Sequence, residues 1–166
     1  MRGKSVLLAS TLTLLATLTT TLAQAQQLHF YVFGTSGCPA CMKLKLSLAK
    51  EFGGEALTFY DIAEDRDYLT ALHRIYELLL PNSTAKPIPL TGVFVDDRLR
   101  LVIVGYCDVD KLRELLSRAG SRVVVYRLGE EWSVGERVAS ELSKLFSNLR
   151  EPLRLKLWSR FTGCCQ

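Results

Sequence analysis

Cys38 and Cys41 stand three positions apart in the stretch "GTSGCPACMK", Gly34 to Lys43, and two thiols at that spacing can do one of three things. They can exchange disulfides, supply half of a metal site, or staple the chain. Exchange needs an attacking thiolate, a second thiol near enough to resolve the mixed disulfide, and a local field that favours the anion. A helix starting at Pro39 supplies that field. Cys38 would then sit at the N-cap, where unpaired N–H groups and the positive end of the dipole favour a negative sulfur. Pro39 suits the first helical position because it has no N–H to leave unpaired. Cys41 falls on the same face as Leu44 and Leu48 and is therefore shielded. Cys38 is the expected nucleophile and Cys41 the expected resolving thiol.

The bland readings are weaker on chemistry. Zinc needs three or four ligands, and the chain has a single Cys-x-x-Cys, with two histidines, His29 and His73, that stand alone in a strand and a helix. No metal and no other cofactor is expected. A purely structural bridge closing so short a loop restricts the unfolded chain little.

The elements that must position this pair follow from the hydrophobic pattern. "LHFYVFG", Leu28 to Gly34, reads as an apolar strand running into the motif. Cys41, Leu44, Leu48 and Phe52 line one helical face, stopped by Gly53-Gly54. "LTFYDI" is a second strand, and Leu72, Ile75, Tyr76 and Leu79 mark a second helix. "TGVFV" and "RLRLVIV" are strands joined at Asp96-Asp97, and "DVDKLRELLSRAG" is a third helix with Asp108 or Asp110 as its cap. The order β-α-β-α-β-β-α over about residues 27–120 predicts an α/β fold with a mixed central sheet flanked by helices. Beyond it, "RVVVYRL" reads as a strand, and Val138, Leu142, Leu145, Phe146 and Leu149 line a further helix, an extra C-terminal β-α segment. "LRLKLWSRF" fits an edge strand or an amphipathic surface segment equally.

At 166 residues, with 48% hydrophobic and 23% charged side chains, the chain has a globular composition. Its N-terminus differs from the rest. Arg2 and Lys4 precede an uncharged run from Val6 to Ala23, and Ala23-Gln24-Ala25 is a small-x-small cleavage site, so residues 1–25 read as a signal peptide. The alternative is an uncleaved anchor at residues 6–23, diluted by six threonines. Both place the rest of the chain outside the cytoplasm, secreted or in a periplasm-like space. Removal of residues 1–25 takes away two of the 21 basic residues and none of the 17 acidic ones, which leaves a net charge of +2. That excludes an electrostatic case for nucleic-acid binding. The five cysteines, Cys38, Cys41, Cys107, Cys164 and Cys165, then lie where disulfides persist, and an odd number leaves one free, intermolecular or in exchange.

The motif and the order of elements resemble the thioredoxin superfamily. "IPLTGVFVDDRLRLVIVGY", Ile88 to Tyr106, is similar to the thioredoxin segment that opens on a cis proline and closes on Val-Gly. The resemblance implies a thioredoxin-like domain over residues 26–120 and an extension at 121–166. It also implies a cis Pro89 facing the cysteines, with Pro39, Ala40, Ile88, Pro89 and Gly105 contacting substrate. There are departures. Val32 stands where thioredoxins carry a buried acid, Gly37 replaces their tryptophan, and proline after the first cysteine is typical of glutaredoxins and periplasmic disulfide oxidases. "GYCDVDKL", Gly105 to Leu112, resembles the glutathione-holding loop of glutaredoxins at a longer spacing from Pro89, which adds glutathione as a lesser candidate partner.

The expected function is an exported thiol-disulfide oxidoreductase acting on protein thiols and disulfides and served by a redox partner protein. The alternative is a non-catalytic module that holds extended peptides in the same groove. Cys107 reads as a small half-buried apolar residue or as an accessory thiol near the site. Cys164-Cys165 reads as an exposed tail, a partner of Cys107, a dimer link or a relay to the motif.

Overall fold

The computed structural model describes residues 26–149. The expected signal peptide, "LRLKLWSRF" and Cys164-Cys165 lie outside the described residues.

Among the described residues, six strands form one mixed sheet in the order β2-β1-β3-β4-β5-β6. The central strands β1 (Leu28–Gly34), β3 (Leu90–Val95) and β4 (Arg98–Val104) are apolar on both faces, as a strand covered on both sides must be. β1 runs parallel to β2 (Leu57–Asp61) and antiparallel to β3, and β4 runs parallel to β5 (Val124–Arg127). The β3–β4 turn is Asp96-Asp97, with φ of 49° and 61°, the left-handed pair that a two-residue hairpin demands.

Helices cover both faces. α1 (Pro39–Phe52) and α3 (Val109–Arg118) pack on Phe30, Val32, Val93, Leu101 and Ile103. α2 (Arg66–Leu79) and α4 (Glu136–Asn148) pack on Tyr31, Phe33, Leu90, Phe94 and Val104. Leu72, Ile75, Tyr76 and Leu79 are all buried, so the second helix faces the core as its spacing predicts. Asp108, not Asp110, caps α3, its carboxylate accepting from the Lys111 N–H at 2.8 Å.

Residues 121–149 complete the fold rather than hang from it. β5 continues the sheet beside β4, and the Phe146 ring of α4 lies over Gly92 of β3 so closely that a Cβ there would come within 2.6 Å of it. A strand absent from the sequence reading, β6 (Glu130–Ser133), closes the far edge antiparallel to β5. Its two glutamates are exposed, as suits an edge that must not recruit another chain.

Candidate active site

The site end of the sheet is where β1, β2 and β4 finish and β3 begins. β1 ends at Gly34, the turn Thr35–Gly37 follows, and Cys38 is the N-cap of α1 with extended backbone (φ −94°, ψ 112°). Its Sγ accepts from the Cys41 N–H at 3.2 Å, the bond that a capping oxygen ordinarily makes. Pro39 occupies the first helical turn as expected. Cys38 and Cys41 are joined by a disulfide, their Cα atoms 5.3 Å apart. The two sulfurs sit in different environments. Cys38 is half-buried beside exposed Gly37 and Pro39, whereas Cys41 is 0% exposed.

The room that Cys41 occupies is left by a glycine. A Cβ added at Gly34 would lie 2.9 Å from both Cβ and Sγ of Cys41, so the second thiol rests on bare backbone at the end of β1. The turn between them is fastened from β2. The Asp61 carboxylate accepts from the N–H of Ser36 at 2.9 Å and from its hydroxyl, and from the Ala63 N–H at 3.0 Å. Those bonds, the Ser36 hydroxyl first, hold the Asp61 carboxyl below its usual value.

On the other flank stands Pro89. Phe33 pairs with Leu90, so the next positions outward are Gly34 and Pro89. The Ile88–Pro89 bond is cis, and Pro89 is buried while Ile88 is half-buried. Gly105, at φ 92°, donates its N–H to the Pro89 carbonyl at 2.8 Å, a positive φ that a side chain would disfavour. The approach to Pro89 is anchored from α2, where the buried Tyr76 hydroxyl donates to the Pro87 carbonyl. Burial raises the Tyr76 pKa well above the usual range, which keeps that proton in place. Tyr106 follows Gly105 and carries the Lys43 ammonium of α1 4.9 Å from its ring centre.

The structure thus gathers Cys38, Pro39, Ala40, Cys41, Ile88, Pro89 and Gly105 at one end of the sheet. Cys107 is placed differently. It is 4% exposed, among Leu112, Leu115 and Ile103, and its thiol contacts the Asp108 carbonyl at 3.4 Å. Burial, with the Asp108 charge second, pushes its pKa up to about 11, and such a thiol is a poor nucleophile. Cys107 is thus packed in the core beneath α3.

Asp61, Ser36, Gly34 and Tyr76 were not singled out from the sequence. Gly34 enters that reading only as the first residue of a Gly-Thr-Ser-Gly turn, and Tyr76 only as a member of the second helix's apolar face. Among the described residues, no group of three or more His, Cys, Asp or Glu side chains is arranged to hold a metal ion, and no helix is long and apolar enough to cross a membrane. His29 is engaged through Nε2 with the Thr58 hydroxyl at 2.8 Å. No protein-family model matches the sequence, and no curated protein matches it.

Proposed function

We propose that the protein is an exported thiol-disulfide oxidoreductase of thioredoxin-like fold, exchanging disulfides with protein clients through Cys38-Pro39-Ala40-Cys41. The observation that carries this reading is the unequal pair: a half-buried cysteine capping a helix, bonded to a fully buried one a single turn inside it. In the reduced protein the Cys41 N–H that reaches the Cys38 sulfur stabilises a thiolate, and the helix dipole adds to it. That thiolate attacks a client disulfide, forming a mixed disulfide on Cys38 and releasing one client thiolate. Cys41, held against Gly34, then attacks the Cys38 sulfur. The Cys38–Cys41 bond re-forms and the second client thiol leaves. Run backwards, the same steps oxidise a client. Pro89 and the Gly105 turn supply the flank against which an extended client segment lies.

The test is reduction and oxidation of a model protein disulfide by wild type, Cys38→Ser and Cys41→Ser. Loss of turnover in both variants is expected, with covalent client adducts accumulating on Cys38 in Cys41→Ser; unchanged turnover would show that the pair is not catalytic. The potential of the couple assigns direction, since about −120 mV suits an oxidant and about −270 mV a reductant.

A further inference from the structure

A cleft of about 570 Å³ opens beside the redox turn, between α1, the end of β2 and the start of α2. Ser36, two residues before Cys38, forms one wall; Phe59 and Tyr68 give it aromatic surface, and Asp61, Glu64 and Asp65 make it acidic. The single cation on its lining, Lys45, has its ammonium 4.7 Å over the Phe59 ring. None of the three carboxylates forms an ion pair among the described residues. Asp61 and Asp65 are engaged with backbone N–H groups or Ser36, which orients their negative charge without neutralising it.

The chain itself is led to this cleft. α4 ends where the Leu149 carbonyl accepts from the Tyr60 hydroxyl of β2 at 3.0 Å. The Tyr60 ring lies 4.8 Å from that of Tyr68, which lines the cleft. Residues 150–166 continue from that point and carry Arg150, Arg154, Lys156 and Arg160 against one acid, Glu151. Leu153, Leu155, Leu157, Trp158 and Phe161 are interleaved with them. A basic, apolar segment thus begins two aromatic rings away from an acidic, aromatic cleft. Cys164 follows Leu149 by 15 residues, about 50 Å of extended chain at ~3.3 Å per residue. A tail seated in the cleft therefore has ample length left for its cysteines to pass Ser36 and meet Cys38.

We infer that residues 150–166 dock in this cleft and present Cys164 or Cys165 to Cys38 as an intramolecular exchange partner. The inference rests on the exchange reading of Cys38. A tail thiolate attacks the Cys38 sulfur of the Cys38–Cys41 disulfide; that bond breaks, a Cys38–tail disulfide forms, and Cys41 leaves and takes up the proton the tail thiol lost. One disulfide is exchanged for another, so no outside oxidant enters. Tethering raises the local concentration of the tail thiol to the millimolar range, which lets it compete with dilute clients.

The experiment uses the full chain with Cys41→Ser, oxidised mildly with diamide over a range of protein concentrations, digested with trypsin without reduction and read by mass spectrometry. The expected product is the Cys38 peptide bonded to the peptide 161–166, formed at a rate independent of protein concentration. Adding Glu64→Lys should slow it roughly fivefold at low salt, as reversal of one exposed charge would. Absence of that product, a rate that rises with protein concentration, or indifference to Glu64→Lys overturns the inference. Reactivity of Cys38 toward a small aromatic disulfide is measured in the same variant. A reactive Cys38 that never bonds to the tail refutes tail docking alone, whereas an unreactive Cys38 refutes both readings.

Discussion

Cys107 makes stability depend on alkaline pH in a way that can be worked out in advance. Its thiol is neutral in the fold and its pKa rises from 9.0 to about 11, mainly because burial penalises the thiolate. A raised folded pKa means that the native state holds its proton longer than the unfolded chain. The stabilisation is complete below pH 9 and is lost as pH climbs through 11, because the unfolded thiol ionises first. Two pH units at about 1.36 kcal/mol each give a loss on the order of 2–3 kcal/mol across that window. The assay is urea unfolding of the Cys38–Cys41-oxidised protein from pH 8 to 11, beside Cys107→Ala. Tyr68 and Tyr76, whose pKa values are also raised, weaken both proteins alike, so the difference between the curves isolates Cys107. At pH 8 the variant should be weaker by roughly 1 kcal/mol for the lost sulfur packing, and the gap should close and reverse toward pH 11. Parallel curves would refute the reasoning. At pH 7 a thiol of this pKa is ionised in only about one molecule in ten thousand, so Cys107→Ala should leave client turnover unchanged.

Gly34→Ala places a methyl 2.9 Å from the Cys41 Cβ and Sγ and 3.2 Å from the Phe59 ring, and should cost roughly 1–3 kcal/mol while slowing closure of the Cys38–Cys41 bond, read by denaturant midpoint and stopped-flow thiol titration; a wild-type closure rate would mean that Cys41 does not depend on this contact. Thr91, 1% exposed between Val32 and Ile103, has a buried hydroxyl with no hydrogen-bond partner among the described residues. Thr91→Val should therefore raise stability by about 1–3 kcal/mol in urea, and a loss would show that the hydroxyl is satisfied. Phe146→Ala removes a fully buried ring from over Gly92 and should cost about 3–5 kcal/mol, whereas a neutral result would mark α4 as dispensable to the core.

The parts of the site legible in the sequence are those whose physics is local. A cysteine followed by proline and an apolar repeat of helical period specifies a capped helix with its second sulfur on the buried face, and the structure has Cys38 half-buried at the cap and Cys41 fully buried. The turn at Asp96-Asp97 was legible for the same reason, since aspartate tolerates positive φ. The β5–β6 turn was not, because Leu128 adopts φ 48° although leucine does not favour it, and "EEWS" has no alternating apolar residues to announce an edge strand. Tertiary contacts were hidden altogether. Nothing near Ser36 says that Asp61 will reach it from the next strand, and nothing near Tyr76 says that its hydroxyl will meet the Pro87 carbonyl.

The placement of β1 joins these observations. Because β1 lies between β2 and β3, the turn that leaves it is flanked by Asp61 on one side and Pro89 on the other, and an edge strand would keep only one of the two. A sulfur at the N-cap of the following helix then lies half-buried at the rim of that saddle. One three residues later comes round, at about 100° per residue, to within about 60° of the first, and lies nearly a turn deeper against the strand end. Only a glycine there leaves room for it. The chemical inequality of the two thiols is in this way a consequence of strand order and of their depth along the helix. Any partner, whether a client or the chain's own tail, must meet Cys38 first, because Cys41 has no exposed surface through which to be attacked.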